Sequence, residues 1–259
     1  MNASLSKLPD ISPPYTVFLA DLHLSEDTPE MNQAFSLLLS SDLFKKAEAF
    51  YLLGDLFAFW GGDDALTEPV YAAIAKDILQ LSRKGVRCYF QRGNRDFLVR
   101  DTFGKTAGMK IIADPYLVDL YGKKTLLSHG DLFCTNDATY QRFRKQTRGR
   151  LKEDVFLLLP KKARQVIIDY TRSALSQKNH KNRAGMDVDE MTVGTFAAQY
   201  AATQVIHGHT HLPAIHSEPY GCRYVISDWR IEDNQVTAGV LIASPDHIDN
   251  YLFSMDLSL

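Results

Sequence analysis

The run Tyr15-Thr-Val-Phe-Leu-Ala20 leads without a break into Asp21-Leu-His23. It is aromatic, β-branched and of strand length, and two side chains able to bind a metal stand directly at its end. The same arrangement returns along the chain. Ala49-Phe-Tyr-Leu-Leu53 is apolar without alternation, the mark of a strand buried on both faces, and it runs into Gly54-Asp55. Arg87-Cys-Tyr-Phe90 is followed closely by Gly93-Asn94-Arg95-Asp96. Between these runs, Asn32 to Leu39 has helical spacing, and Val70, Ile74, Ile78 and Leu81 recur near the 3.6-residue period with Gly85 suited to close the helix. Strand, helix, strand, helix, strand predicts an α/β layered domain.

Further along, Tyr116 to Tyr121, Gly122-Lys-Lys and Thr125 to Ser128 read as a hairpin that ends in His129-Gly-Asp131. From Tyr140 to about Gly185 the pattern is helical and amphipathic. Met191 to Ala202 is a further helix candidate, and Gln204 to His207 a strand that delivers Gly208-His209-Thr-His211. Short strands are expected around Arg223–Ser227, Val236–Ala243 and Tyr251–Phe253. No internal repeat or low-complexity tract interrupts the chain.

In α/β sheets, ligands gather beyond the carboxyl ends of the strands. Successive strand ends therefore bring Asp21, His23, Asp55, Asn94, His129, His209 and His211 to one rim. These are oxygen and nitrogen ligands with no thiolate, a set suited to Mn²⁺, Fe²⁺ or Zn²⁺ in an octahedral-like site and not to structural zinc. They are more than one ion takes. With a bridging carboxylate they serve two ions about 3.5–4 Å apart, the arrangement used for phosphoester hydrolysis. Singly, an Asp-x-His at a strand end or a Gly-Asp pair in a turn is an ordinary structural feature; the repetition at each strand end carries the inference.

Composition narrows the remaining classes. The chain has 259 residues, 45% hydrophobic and 23% charged, with 29 basic against 31 acidic side chains and a net charge of −2. This is ordinary globular composition and argues against disorder, collagen or a disulfide-stapled miniprotein. Near-neutral charge argues against bulk nucleic-acid binding. The three cysteines, Cys88, Cys134 and Cys222, form no C-x-x-C pair and fit a reducing compartment. Met1 to Pro14 reads as a flexible leader and not as a secretory signal, and no apolar run approaches the ~18 residues of a membrane span. The expected organisation is a leader over 1–14 and a single domain over 15–259, with a helical lid inserted at about 140–185.

The order Asp21-x-His23, Gly54-Asp55, Gly93-Asn94, His129 and Gly208-His209-x-His211 resembles the calcineurin-like metallophosphoesterases. The resemblance implies a two-sheet β-sandwich flanked by helices. It also implies one metal held by Asp21, His23, Asp55 and His211 and a second by Asp55, Asn94, His129 and His209, with Asp55 as the bridge. Most of that superfamily has Gly-Asn-His; here Arg95 takes the histidine's place. With Gly54-Asp-Leu-Phe-Ala-Phe-Trp60, His129-Gly-Asp-Leu-Phe-Cys-Thr-Asn-Asp137 and Met186-Asp-Val, the chain is similar to the branch that hydrolyses UDP-2,3-diacylglucosamine in lipid A synthesis. That likeness runs from about Thr16 to Phe253. It implies two Mn²⁺ ions, water attack on the UMP-side phosphorus, catalytic roles for Asp55, Asn94, Arg95 and His209, and a place on the cytoplasmic face of the inner membrane. It further implies that Asp137 contacts the glucosamine, that Lys181 contacts the substrate phosphate, and that Ser173 or Ser176 and Lys178 or Asn179 fill other lid contacts.

The residue chemistry points the same way. A pyrophosphate is a fixed anion to which an arginine offers a bidentate fork. A guanidinium is a poor proton donor, which matters less when the leaving group is a sugar phosphate than when it is an alkoxide. In the insertion, Arg142, Arg144, Lys145, Arg148, Arg150 and Lys152 occur with no acidic residue among them, and Val155 to Leu159 follows. This fits a membrane-surface element or acyl pocket as well as a solvated helical cover. His207 reads as structural beside the metals, His180, His216 and His247 as surface or packing residues, and Cys134 as packing. Trp60 suits either the core or the uridine side. The rival functions are a soluble nucleotide diphosphatase or phosphodiesterase of the same fold, and a metal-poor scaffold. Oligomeric state has no signature in the sequence.

Overall fold

A parallel ribbon of β1 (Thr16–Leu19), β2 (Ala49–Leu53), β3 (Arg87–Gln91) and β4 (Met109–Ile112) forms the framework, with the strands adjacent in chain order. The computed structural model describes residues 9, 11–168, 187–233 and 235–256. Helices make the crossovers: α1 (Pro29–Ser40) and α2 (Asp42–Lys45) between β1 and β2, α3 (Pro69–Arg83) between β2 and β3, and α4 (Asp101–Ala107) between β3 and β4. Proline at the start of α1 and α3 suits a position whose N–H has no helical acceptor. On α3, Ile74, Ala75, Ile78 and Leu81 form the buried face, as the sequence period predicts.

A second sheet holds β5 (Tyr116–Leu120), β6 (Lys123–Ser128), β7 (Gln204–His207), β8 (Ala214–Glu218) and β9 (Gly221–Val225) in the order β5-β6-β7-β9-β8. β5 and β6 form the expected hairpin, and β6, β7 and β9 run parallel. The chain then returns to the first sheet: β11 (Gln235–Ala243) pairs antiparallel with β1, and carries β10 (Arg230–Glu232) and β12 (Ile248–Asp256).

Alternation along β1 explains the layers. Val17 and Leu19 face the helices and pack with Phe35, Leu38, Phe50, Leu52, Ile74 and Ile78. Phe18 faces the other way, into a seam between the sheets with Tyr51, Leu53, Leu127, Ile206, Ile226 and Leu241. On the far side, Leu126 and Val205 pack against Val193 and Ala197 of the helix Glu190–Gln199. Each such buried side chain contributes roughly 1.5–3 kcal/mol of transfer free energy. The two-sheet sandwich flanked by helices is the architecture that the family resemblance implies.

Three features differ from the sequence reading. The insertion is not one continuous amphipathic stretch: α5 (Ala138–Thr147) ends at an extended Arg148, Gly149 takes a φ of 126°, and α6 (Arg150–Leu157) starts afresh, followed by α7 over 161–168. This makes Glu190–Gln199 α8. The basic run is not a uniform outward face either. Arg142, Lys145, Arg150 and Lys152 are exposed, but Arg144 and Arg148 turn toward the carboxylate of Asp131, because a buried carboxylate requires charged partners. Finally, α2, α4, β4, β8 and β10 have no counterpart in the sequence reading; they are short, and β8 and β10 leave much of their surface to solvent. Ser173, Ser176, Lys178, Asn179, His180, Lys181 and Met186 lie outside the described residues. Among the described residues, no helix is long and apolar enough to cross a membrane.

Candidate metal centre

Asp21 follows β1, Asp55 follows β2, Asn94 follows β3, His129 follows β6 and His209 follows β7, so the strand ends of both sheets converge. Local backbone conformation turns the side chains together. Asp21, His23, Asp55, His209 and His211 all have positive φ, between 53° and 71°. Left-handed backbone costs a non-glycine residue roughly 1–2 kcal/mol, least for Asp, Asn and His. A cluster of such residues is characteristic of a site whose surroundings hold it in place. Here the Asp55 carbonyl accepts hydrogen bonds from the amides of Leu22 (2.9 Å) and His23 (3.0 Å), which ties the first two strand ends together. The amide of His209 donates to Asp21 Oδ2 at 2.7 Å. Two glycines are required by proximity: a Cβ on Gly93 would lie 2.2 Å from Asp55 Oδ1, and one on Gly208 would lie 2.3 Å from Asp21 Oδ2.

Two groups of ligand atoms result, each spanning no more than 4.8 Å: Asp21, His23 and His211, and Asp21, Asp55 and His129. Asp21 belongs to both groups, and Asp55 of the second also approaches the first, with Oδ2 3.9 Å from His23 Nδ1 and Oδ1 3.7 Å from His129 Nε2. The Asn94 side-chain oxygen lies 2.9 Å from His129 Nε2. His209 is outside both groups, its ring edge-on to that of His129 with centroids 5.0 Å apart.

The residues fit a divalent metal on their own chemistry. Asp21 Oδ1 and both ring nitrogens of His23 are buried without a hydrogen-bond partner. Buried polar atoms left unpaired cost about 1–3 kcal/mol each, and a cation satisfies Asp21 Oδ1 together with one ring nitrogen of His23. Burial, with Arg95 nearby, lowers the His23 pKa to about 3, and burial with His129 nearby lowers His209 to about 3, so both rings are neutral and have lone pairs to give. His129 behaves oppositely. Burial disfavours its charge, but Asp55 and Asp21 outweigh it and raise its pKa to about 9. His211 is raised to about 10 against burial by its contacts with Asp21 and Asp228. Neighbours also set ring orientation. His129 Nδ1–H donates to the Leu53 carbonyl at 2.9 Å, which leaves Nε2 for the site.

Several contributing residues had no role assigned from the sequence. Asp96 is fully buried and accepts from the amides of Leu56 (2.8 Å) and Gly93 (2.7 Å), bracing the loop that bears Asn94 and Arg95. Burial, together with the negative charge of Asp55, raises its pKa to about 7. Asp131 accepts from Tyr140, from Arg144 Nε (3.0 Å) and from Arg148 Nη2 (3.3 Å). Asp228 lies beyond β9, one more strand end, and that position was the available signal. Of the remaining residues considered from sequence, Asp137 caps α5 by accepting from the Tyr140 amide at 2.8 Å. Trp60 is wholly buried, stacked on Phe57 at 4.4 Å, and therefore belongs to the core. His207 is buried and structural, with Nδ1–H donating to the Gly208 carbonyl at 2.9 Å, and Cys134 is buried.

Paired carboxylate and imidazole clusters at the strand ends of a two-sheet sandwich define a metallophosphoesterase. The chain belongs to the calcineurin-like phosphoesterase family, whose model matches residues 15–213. Among curated relatives, the UDP-2,3-diacylglucosamine hydrolase of Histophilus somni (strain 129Pt) is 42% identical over 216 residues, 83% of this chain and 92% of that one. The protein of the same name from Shewanella sp. (strain MR-7) is 41% identical over 245 residues, 94% of this chain and 99% of that one. A solved archaeal phosphodiesterase matches 92% of this chain and 99% of its own at 10% identity, with a TM-score of 0.48.

Proposed function

We propose that this protein hydrolyses the pyrophosphate of UDP-2,3-diacylglucosamine, releasing UMP and 2,3-diacylglucosamine 1-phosphate, with two Mn²⁺ ions at the centre described above. The observation that carries this reading is the 41% identity to a UDP-2,3-diacylglucosamine hydrolase across 94% of this chain, joined to the two groups of candidate ligands at the strand ends. Asp21, His23, Asp55 and His211 would hold one ion, and Asp55, Asn94, His129 and His209 the other. Bound there, such ions supply hydroxide near neutral pH and neutralise charge on the phosphoryl oxygens.

The chain's own groups do the positioning. Arg95 donates its amide to Asp55 Oδ1 at 2.8 Å, and its guanidinium, 3.5 Å from Asp55 Oδ2, stays 42% exposed to solvent. That leaves donors free for a bidentate grip on the pyrophosphate. A neutral His209 keeps one ring N–H able to donate to a phosphoryl oxygen. Leu151 and Val155 of α6, Leu158 just beyond it, and Val166 and Ile167 of α7 are exposed. Apolar area on this scale beside the basic side chains of α5 and α6 suits acyl chains and a membrane surface, and the protein would then act peripherally at the cytoplasmic side of the inner membrane. Asp137 and Lys181 remain the proposed glucosamine and phosphate contacts.

The test is incubation of Mn²⁺-loaded protein with UDP-2,3-diacylglucosamine and, separately, UDP-N-acetylglucosamine in water carrying heavy oxygen. UMP released from the diacylated compound alone, with the label in UMP, is expected. Equal cleavage of both would favour a general nucleotide diphosphatase, and cleavage of neither would defeat the substrate assignment.

A further inference from the structure

The corner between α5 and α6 points into the site. Arg148 occupies it with extended backbone, its amide donating to the Arg144 carbonyl at 2.9 Å. Its guanidinium reaches three partners. Nη2 donates to the Gly93 carbonyl at 3.0 Å and to Asp131 Oδ2 at 3.3 Å, and the guanidinium carbon stands 4.6 Å above the Phe97 ring. The Gly93 carbonyl belongs to the peptide that carries Asn94, and Arg95 follows directly.

That loop is therefore held from two sides. From the core, the Asp96 carboxylate binds the Gly93 amide at 2.7 Å. From the lid, Arg148 binds the Gly93 carbonyl. The next helix repeats the device. Buried Glu153 of α6 binds Arg92 Nη1 and Arg100 Nη2, each at 3.0 Å, and accepts from the Gly149 amide at 3.0 Å. Arg92 in turn donates to the Phe97 carbonyl at 3.1 Å. The segment from Arg92 to Arg100 is thus gripped at both ends by the insertion.

We propose that Arg148 is a positioning residue that sets Asn94 and Arg95 only when the α5–α6 corner is seated. The inference rests on the metallophosphoesterase reading of the centre. Arginine suits the task because its planar fork spans a carbonyl, a carboxylate and a ring face together, whereas a lysine offers a single point charge.

The decisive variant is Arg148→Lys, which keeps a charge for Asp131 but not the span to Gly93; Arg148→Ala is its more severe companion. Mn²⁺ binding by calorimetry and turnover of UDP-2,3-diacylglucosamine are measured together, with thermal unfolding as the control for folding. Outer-shell changes of this kind cost about 10–100-fold in metal affinity or activity. The expected result for Arg148→Lys is weaker Mn²⁺ binding at one of two sites by about 10-fold, with kcat falling in parallel, KM unchanged and the unfolding midpoint near wild type. A rise in KM alone would make Arg148 a substrate contact, and unchanged Mn²⁺ binding and kcat would make it a lid strut; either overturns the proposal. If the wild type binds Mn²⁺ but leaves UDP-2,3-diacylglucosamine intact, the substrate reading fails while the calorimetric comparison still decides the role of Arg148.

Discussion

His211 Nδ1 lies 3.2 Å from Asp228 Oδ2, while Nε2 of the same ring lies 3.5 Å from Asp21 Oδ1. One imidazole thus links a carboxylate of the proposed metal centre to one outside it. A carboxylate behind a metal-binding histidine fixes its tautomer and raises its basicity. Asp228→Asn is expected to weaken Mn²⁺ binding about 10-fold or more with little change in fold. Calorimetric titration checks this, and affinity equal to wild type would show that the ring needs no such support.

Metal binding should release protons. With their pKa values raised to about 9 and 10, His129 and His211 are protonated in the metal-free chain at neutral pH, and each must lose a proton to act as a ligand. Mn²⁺ affinity is therefore expected to rise with pH from 6 to 9, and the binding heat at pH 7 to depend on the ionisation enthalpy of the buffer. The sign for stability is the reverse. A histidine raised above its unfolded value contributes stability that is full below about pH 6.5 and fades as pH approaches the folded value. Metal-free protein should lose that contribution as pH rises toward 9–10, and thermal melts across this range measure it.

Gly208 has no room for a methyl group, since a Cβ would lie 2.3 Å from Asp21 Oδ2 and 2.6 Å from Ala20 Cβ. Gly208→Ala should displace the Asp21 carboxylate and reduce metal content at fixed Mn²⁺ by an order of magnitude or so, while far-ultraviolet circular dichroism stays unchanged. Full metal occupancy in the variant would mean that the strand ends can separate freely.

Trp60 separates core from substrate contact. It stacks on Phe57 and meets Tyr71 and Phe103 edge-on at 5.5 and 5.3 Å, with its indole N–H donating to Asp63 at 3.1 Å. Trp60→Ala should cost about 3–5 kcal/mol of stability, read by denaturant unfolding, with no selective change in KM for the nucleotide substrate. A KM effect without destabilisation would return Trp60 to the uridine side.

Asp96→Asn tests the brace beneath Asn94. Asparagine offers one acceptor oxygen where Asp96 uses two, so either the Leu56 or the Gly93 amide loses its bond. An unpaired buried donor costs about 1–3 kcal/mol. The unfolding midpoint should fall and turnover should fall with it; if both hold, the loop has another support.

Much of the centre was legible in the sequence because parallel strands make order along the chain into order in space. A buried strand must be apolar, and a polar metal-binding residue can appear only where it ends; Tyr15–Ala20 before Asp21 and Ala49–Leu53 before Asp55 carry both facts in consecutive letters. Helical period likewise announced α3, whose buried face repeats every turn. What one sequence does not encode locally is which distant group faces which. Asp228 reads as an ordinary acidic residue until β9 sets it beside His211, 17 residues earlier in the chain. Trp60 suited either the core or the uridine side until packing closed around it. Arg144 and Arg148 read as members of an exposed basic run, yet the buried charge of Asp131 draws both inward. Strand ends and helical period are local physics and were set by the sequence alone; the partners of buried charges depend on long-range contacts, and only the tertiary structure decided them.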